Sequence, residues 1–86
     1  MTEKIKEYAS LLMPVPDIAV LIGMDDDELK AKIADKNTPE AKAYRLGRAE
    51  TVLEIRRQEI ALAKAGSPMA VELMQDYLVD QAQSEE

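Results

Sequence analysis

Apolar side chains recur every three or four positions along most of this chain, which is the spacing of one face of an α-helix. Proline, glycine and clusters of turn-forming residues interrupt the pattern. It therefore predicts five helices, at 3–13, 16–22, 26–36, 39–65 and 68–79. Abundant Ala, Leu, Ile, Glu and Lys, with aromatic residues at only 3%, agree with an all-α fold.

The ends of the predicted helices carry capping residues. Thr2 is expected to be the N-cap of the first helix, and Thr38 precedes a proline in the first turn of the fourth. Asp25 and Glu28 have the spacing of a capping box, in which the aspartate accepts from backbone N–H groups and the glutamate reaches back. Gly66 is placed to end the fourth helix in a left-handed conformation.

The fourth helix is the longest, and Gly47 is the residue within it that disfavours a helix and indicates a close helix contact. The short "AGSP" junction predicts that the last helix folds back as an antiparallel hairpin. Apolar residues of the fourth helix form two stripes, so part of that surface is expected to meet another subunit. The residues predicted for oligomerisation are Leu46, Ala49, Leu53, Ile60, Met69, Leu73 and Tyr77.

Residues 17–33 have the spacing of a helix-turn-helix. Ala19 is the small residue at the helix crossing and Gly23, four positions later, is the glycine of the tight turn. In the alternative interpretation Gly23 is only a C-terminal cap between two packed helices. The apolar residues expected on the inner face are Ile18, Ile22, Met24, Leu29 and Ile33. The predicted organisation is a helix-turn-helix region at 1–38, a hairpin for oligomerisation at 39–80 and an acidic, frayed tail at 81–86, within one compact domain.

Length and composition exclude several classes of protein. A chain of 86 residues has a thin hydrophobic core, and such chains often gain stability from partners. The absence of Cys and His excludes disulfide frameworks, the usual zinc sites, thiol nucleophiles and imidazole bases. No glycine-rich phosphate loop precedes a helix, so we expect neither a cofactor nor enzymatic activity. No apolar run approaches the roughly 18 residues of a membrane span, and we expect a soluble protein.

The formal charge of −6 is distributed unevenly. Residues 1–38 carry five bases and eight acids, residues 39–66 carry six bases and four acids, and residues 67–86 carry five acids and no base. The four acids at 25–28 lie where a helix-turn-helix normally meets DNA, although they also stabilise the start of their own helix. The lysines that follow them could form a solvated face, and the arginines of the fourth helix could pair with Glu50, Glu54 and Glu59.

The segments "IAVLIGMDDDELKAKI" and "RLGRAETVLEIRRQEIALAKAGSPMAVELMQDYL" resemble the terminase small subunits of tailed bacteriophages. Proteins of that family combine a helix-turn-helix with an Arg- and Ala-rich helix, followed by a Gly-Asn-Pro or Gly-Ser-Pro junction into a Met- and Leu-rich helix. The resemblance covers roughly residues 16–79. This chain departs from the family pattern in its acidic helix start and in lacking a basic tail.

The resemblance implies a homo-oligomeric, non-enzymatic component that recognises viral duplex DNA and presents it to the large ATPase subunit of the packaging motor. The recognition helix would be 26–36, and assembly would use 39–65 and 68–79. The expected location is the cytoplasm of the bacterial host. Binding to DNA would be weak for each subunit, and a ring would multiply weak contacts. The residues expected to contact the DNA backbone are Lys30, Lys32, Lys36, Arg45 and Arg48.

Two other functions remain open at the level of the sequence. In the first, the helix-turn-helix is only a scaffold and the long hairpin docks a protein, which suits the net negative charge. In the second, the chain is a small transcriptional regulator, for which a dimer on a palindromic site is the expected assembly.

Overall fold

The computed structural model describes the backbone of residues 1–85 and the side chains of residues 1–81. The fold is all-α, as the hydrophobic pattern predicts, and no strand occurs among the described residues. None of the described helices is both long enough and apolar enough to cross a membrane. The five helices are α1 at Thr2–Ser10, α2 at Val15–Ile22, α3 at Asp26–Ala34, α4 at Pro39–Lys64 and α5 at Pro68–Glu85.

The first helix differs from its prediction at both ends. Its N-cap is Met1, and Thr2 already belongs to the helix, so the prediction of a Thr2 cap is wrong. The helix ends at Ser10 instead of position 13 because Leu12 adopts a left-handed φ of 59°. The Leu12 N–H then donates to the Ala9 carbonyl and the Met13 N–H to the Tyr8 carbonyl, which is the Schellman ending usually built on glycine.

The predicted ends of α3 and α5 are also displaced. Helix α3 ends two residues early because Asp35 has an extended backbone, and its carboxylate accepts from the Asn37 N–H at 3.0 Å. The Thr38 hydroxyl donates to the Lys32 carbonyl and accepts from the Ala41 N–H, which confirms Thr38 as a cap. Helix α5 runs past 79 to Glu85. The prediction of a frayed acidic tail at 81–86 falls, apart from Gln81, outside the described side chains.

The chain forms two compact units, the first at residues 1–52 and the second from Leu53 onward. The core of the first unit joins α1, α2 and α3, with the start of α4 against it. The predicted inner face is confirmed, since Ile18 and Leu29 are fully buried and the other three predicted residues pack against them. The fully buried apolar side chains of this unit are those of Ile5, Ala9, Ile18, Ala19, Leu29 and Ala41.

Gly47 is the point where α4 lies closest to α1. A Cβ at this position would lie 2.3 Å from the Lys6 carbonyl oxygen and 3.1 Å from the Ala9 Cβ. One turn further along α4, the Thr51 hydroxyl donates to the Ser10 carbonyl, and the Glu50 carboxylate lies 3.4 Å from the Lys6 ammonium. The prediction that Gly47 marks a close helix contact is confirmed, and these contacts explain why the first half of α4 belongs to the first unit.

The second unit contains α5 and the rest of α4, joined by a turn at Gly66, whose φ of 98° confirms the predicted left-handed end. The Tyr77 hydroxyl of α5 donates to the Glu59 carboxylate of α4, and the Arg56 guanidinium lies 4.2 Å from the centre of the Tyr77 ring. Ala70 is the one residue of this unit that is buried among the described side chains. The second unit therefore depends on a small polar and aromatic cluster more than on a closed apolar core.

We expect Gly47→Ala to lower the stability of the protein. Alanine normally favours a helix by about 1 kcal/mol over glycine, but overpacking of a tight contact costs about 1–3 kcal/mol. A Cβ at 2.3 Å from a backbone oxygen forces α1 and α4 apart. Urea unfolding followed by circular dichroism measures the change. Ala49→Gly at an exposed position of the same helix is the control for intrinsic helix propensity, and a gain in stability from Gly47→Ala would contradict the close contact.

The Tyr77 pKa is raised above its usual value of 10.0, because the hydroxyl donates a hydrogen bond to the Glu59 carboxylate and that bond requires the neutral phenol. We expect Glu59→Gln to lower this pKa in an ultraviolet titration of tyrosinate absorbance. The bond stabilises the fold below about pH 10, and its contribution is lost as the pH rises through the raised pKa. Glu54→Gln, on the same helix, is the control. An unchanged titration in Glu59→Gln would show that the bond does not form in solution.

Candidate nucleic-acid interface

Helices α2 and α3 are joined by a tight turn centred on Gly23. This glycine has a φ of 74°, and its N–H donates to the Val20 carbonyl. The Met24 N–H donates to the Ala19 carbonyl at 2.9 Å, so the last turn of α2 is closed by backbone bonds alone. Ala19 itself is fully buried, which shows that the small residue lies at the inner side of α2. The two residues that predict the turn therefore have structural roles, since Ala19 is buried and Gly23 adopts a left-handed φ.

The start of α3 is organised by the carboxylate of Asp25. Its Oδ2 accepts from the backbone N–H groups of Asp27 and Glu28, at 3.1 and 3.4 Å, which confirms the predicted N-cap. The Glu28 carboxylate lies 3.6 Å from the Lys32 ammonium one turn further on, instead of reaching back as in a capping box. Asp26 and Asp27 are exposed in the first turn, where negative charge stabilises a helix.

The three lysines of the predicted DNA contact have different surroundings. Lys32 lies between two carboxylates, 3.6 Å from Glu28 and 4.0 Å from Glu40 of α4. Lys30 is two positions earlier on α3 and is exposed, and Lys36 is exposed in the loop after the helix. Because residues two positions apart on a helix lie on different faces, Lys30 and Lys32 do not form one patch. Lys30 and Lys36 are the lysines of this group whose ammonium groups face solvent without an ion pair among the described contacts.

The arginines predicted to contact DNA lie on α4. Arg45 is exposed, whereas Arg48 is partly buried with its guanidinium 5.6 Å from the centre of the Tyr44 ring. The three glutamates predicted to pair with arginines contact other groups, two of them on another helix and one on α4 itself. Glu50 pairs with Lys6, Glu54 accepts from the Gln58 amide, and Glu59 accepts from Tyr77.

Lys42 is a basic residue that the sequence interpretation missed. It is exposed on α4, one turn before Arg45 and Leu46, and it makes no ion pair in the described part of the chain. Its spacing could have indicated this role, because residues three and four positions apart share a helix face and Lys42 therefore lies beside Arg45 and Leu46. Together with Arg45, it makes the start of α4 the more basic of the two predicted contact regions.

The residues predicted for oligomerisation are exposed to different degrees. Leu46, Ala49, Leu53 and Met69 are exposed, and Met69 leaves 74% of its surface open. Ile60, Leu73 and Tyr77 are partly covered within the second unit. Within the described residues, no group of three or more acidic, histidine or cysteine side chains is close enough to hold a metal ion.

Comparison of the chain with protein-family models, with curated proteins and with solved structures gives no match. The function must therefore be inferred from the residues and geometry of this chain.

Asp25→Ala should destabilise the first unit by about 0.5–2 kcal/mol, the usual cost of losing an N-cap. Two backbone N–H groups at the start of α3 lose their acceptor in this variant. Thermal and urea unfolding of the whole chain measure the effect. The matched control is Asp26→Ala, which removes an equal charge from the next position but no capping bond. Equal losses in the two variants would show that charge at the helix start, and not the cap, is responsible.

Proposed function

We propose that this chain is a non-enzymatic DNA-recognition component of a phage DNA-packaging machine, acting as a homo-oligomer in the cytoplasm of the host. In this proposal α2 and α3 form a helix-turn-helix, and α4 with α5 forms the antiparallel hairpin used for assembly. The observation that carries the proposal is the junction at Gly23, where a left-handed glycine follows the fully buried Ala19 by four residues. The sequence resemblance to terminase small subunits supplies the link to packaging.

The charge at the start of α3 disfavours the usual reading of bases by this helix. The acids of its first turn would repel the DNA backbone if that end entered a groove in the usual way. Lys30 and Lys36, further along the chain, are exposed and free of ion pairs among the described contacts, and Arg45 is exposed on α4. We therefore propose weak, salt-sensitive binding with low sequence preference, strengthened when several copies contact one duplex.

Lys32 and Arg48 have secondary roles in this proposal. Lys32 is paired with two carboxylates, and Arg48 lies against a tyrosine ring, so both would have to give up contacts to reach a phosphate. Presentation of the bound DNA to an ATP-driven large subunit would be the task of the assembled form. The ATPase chemistry would belong to that partner.

The experiment that tests this function is fluorescence anisotropy of a labelled duplex titrated with the full chain. We expect binding that weakens steeply between about 50 and about 200 mM salt, since cations released from phosphates drive association. Combined reversal of Lys30→Glu and Lys36→Glu is expected to weaken binding by about tenfold or more at the lower salt concentration.

The control is a second pair of reversals, Lys4→Glu and Lys64→Glu, which changes the net charge equally at exposed positions on α1 and α4. If both pairs weaken binding alike, the effect comes from net charge, and Lys30 and Lys36 are not the contact surface. Absence of binding at about 50 mM salt, with protein concentrated enough to assemble, would contradict the proposed function.

A protein-interaction module is the second candidate, and one observation favours it. Asp26 and Asp27 are exposed at the start of α3, and the outer residues of α2 beside them in sequence are apolar and exposed. Such a surface suits a protein partner better than a polyanion. The same titration separates the two functions, because this candidate predicts no salt-sensitive binding to duplex DNA.

A further inference from the structure

Helix α2 is apolar around most of its circumference. Ile18 and Ala19 are buried, yet Val20 leaves 74% and Leu21 leaves 52% of its surface open. Asp17 is the one charged residue of this helix, and it is exposed. It precedes Val20 by three positions and Leu21 by four, so the three side chains lie on one outer face of the helix. We refer to Asp17, Val20 and Leu21 as the α2 strip. A helix that is apolar on all sides is normally covered on all sides.

The charged residues near the α2 strip in sequence are all acidic. Residues 8–29 contain five acids and no lysine or arginine. This charge disfavours DNA or an anionic lipid surface as the group that covers the strip. The partner must instead offer an apolar surface next to a positive charge.

The same chain carries a surface of that kind on its first unit. An open hollow of about 360 Å³ lies between the first turns of α1 and α4. It is lined by Thr2, Glu3, Lys6, Pro39, Lys42, Ala43 and Leu46. Leu46 is 50% exposed at one side of this α1–α4 hollow. Its volume lies near the lower end of the range of about 300–1,000 Å³ for ligand pockets, which suits a few side chains better than an extended ligand.

The lining of the α1–α4 hollow includes one lysine without an ion pair among the described contacts. Lys42 is exposed and makes no ion pair among the described contacts, and Arg45 is exposed beside it on the helix. Lys6 is paired with Glu50 at 3.4 Å, and Glu3 is the one acid in the lining. The hollow thus combines an apolar lining with the unpaired Lys42 ammonium, which complements the apolar side chains and the carboxylate of the α2 strip.

We propose that the α2 strip of one copy docks in the α1–α4 hollow of a second copy, with Val20 and Leu21 against Leu46 and Asp17 beside Lys42. The two surfaces share no residue. After the first contact, the copy that uses its strip still has a free hollow, and the copy that uses its hollow still has a free strip. Such a head-to-tail contact continues from copy to copy and produces a closed ring or an open chain. The contact shares Leu46 with the residues predicted for oligomerisation, but it pairs this residue with α2 of another copy, and it does not rest on DNA binding.

The absence of cysteine from the natural sequence allows a direct test by disulfide trapping. Val20→Cys and Leu46→Cys variants of the full chain, one of them carrying a tag that changes its mass, are mixed in equal amounts under mild oxidation. We expect the mixed Val20–Leu46 disulfide to exceed both homodimers several-fold. The control mixture pairs Val20→Cys with Leu62→Cys, an exposed leucine of α4 outside the hollow. Equal trapping in the two mixtures, or mainly homodimers, would overturn the proposal.

A charge exchange tests the electrostatic part of the contact. In sedimentation experiments over a range of concentrations, Asp17→Lys is expected to weaken self-association by about tenfold, and adding Lys42→Asp in the same chain should restore it. Asp26→Lys is the control, because it makes the same charge change in the first turn of a neighbouring helix. A wild-type chain that stays monomeric at all concentrations, or an Asp17→Lys variant that assembles normally, would also overturn the proposal.

These outcomes are independent of the duplex titration. Disulfide trapping at the predicted pair without any DNA binding would remove the proposed function and keep the assembly contact. Salt-sensitive DNA binding without specific trapping would keep the proposed function and remove the assembly contact.

Discussion

The close approach of α4 to α1 at Gly47 is the constraint on which the first unit depends. Without a Cβ at this position, the α4 backbone can lie against the Lys6 carbonyl, and Thr51 can donate to the end of α1. This contact fixes the first half of α4 on the three small helices, which are otherwise held by a core of only a few buried side chains. It thereby determines where the Lys42 and Arg45 cations lie and creates the hollow between the two helices.

Local electrostatics governs the neighbouring helix α3 and limits what it can recognise. Asp25 is used to cap the helix, and Glu28 and Glu40 hold Lys32 between α3 and α4. Exposed ion pairs of this kind each contribute little stability, but they compete with phosphates for the same lysine. The side chains left for an external anion are therefore Lys30 of α3, Lys36 in the loop after it, and the cations at the start of α4.

Both units have exposed apolar surface. A chain of this size buries a limited share of its surface, and here several large side chains of α2, α4 and α5 remain open. In the second unit, the Tyr77 cluster and the buried Ala70 hold the helices with little apolar closure. Contiguous apolar surface of this kind often marks a site where another molecule binds.

The sequence by itself determined the five helices, the caps at Asp25 and Thr38, the glycine turns and the inner face of α2 and α3. These features depend on neighbours along the chain, so residue type and spacing are enough to predict them. Tertiary structure alone decided the end of α1, where Leu12 adopts a conformation normally left to glycine, and the partners of Lys32 and Glu50. It also decided the α1–α4 hollow. A charged side chain can pair with several groups at similar cost, and only the packing of the helices determines which of them comes within reach.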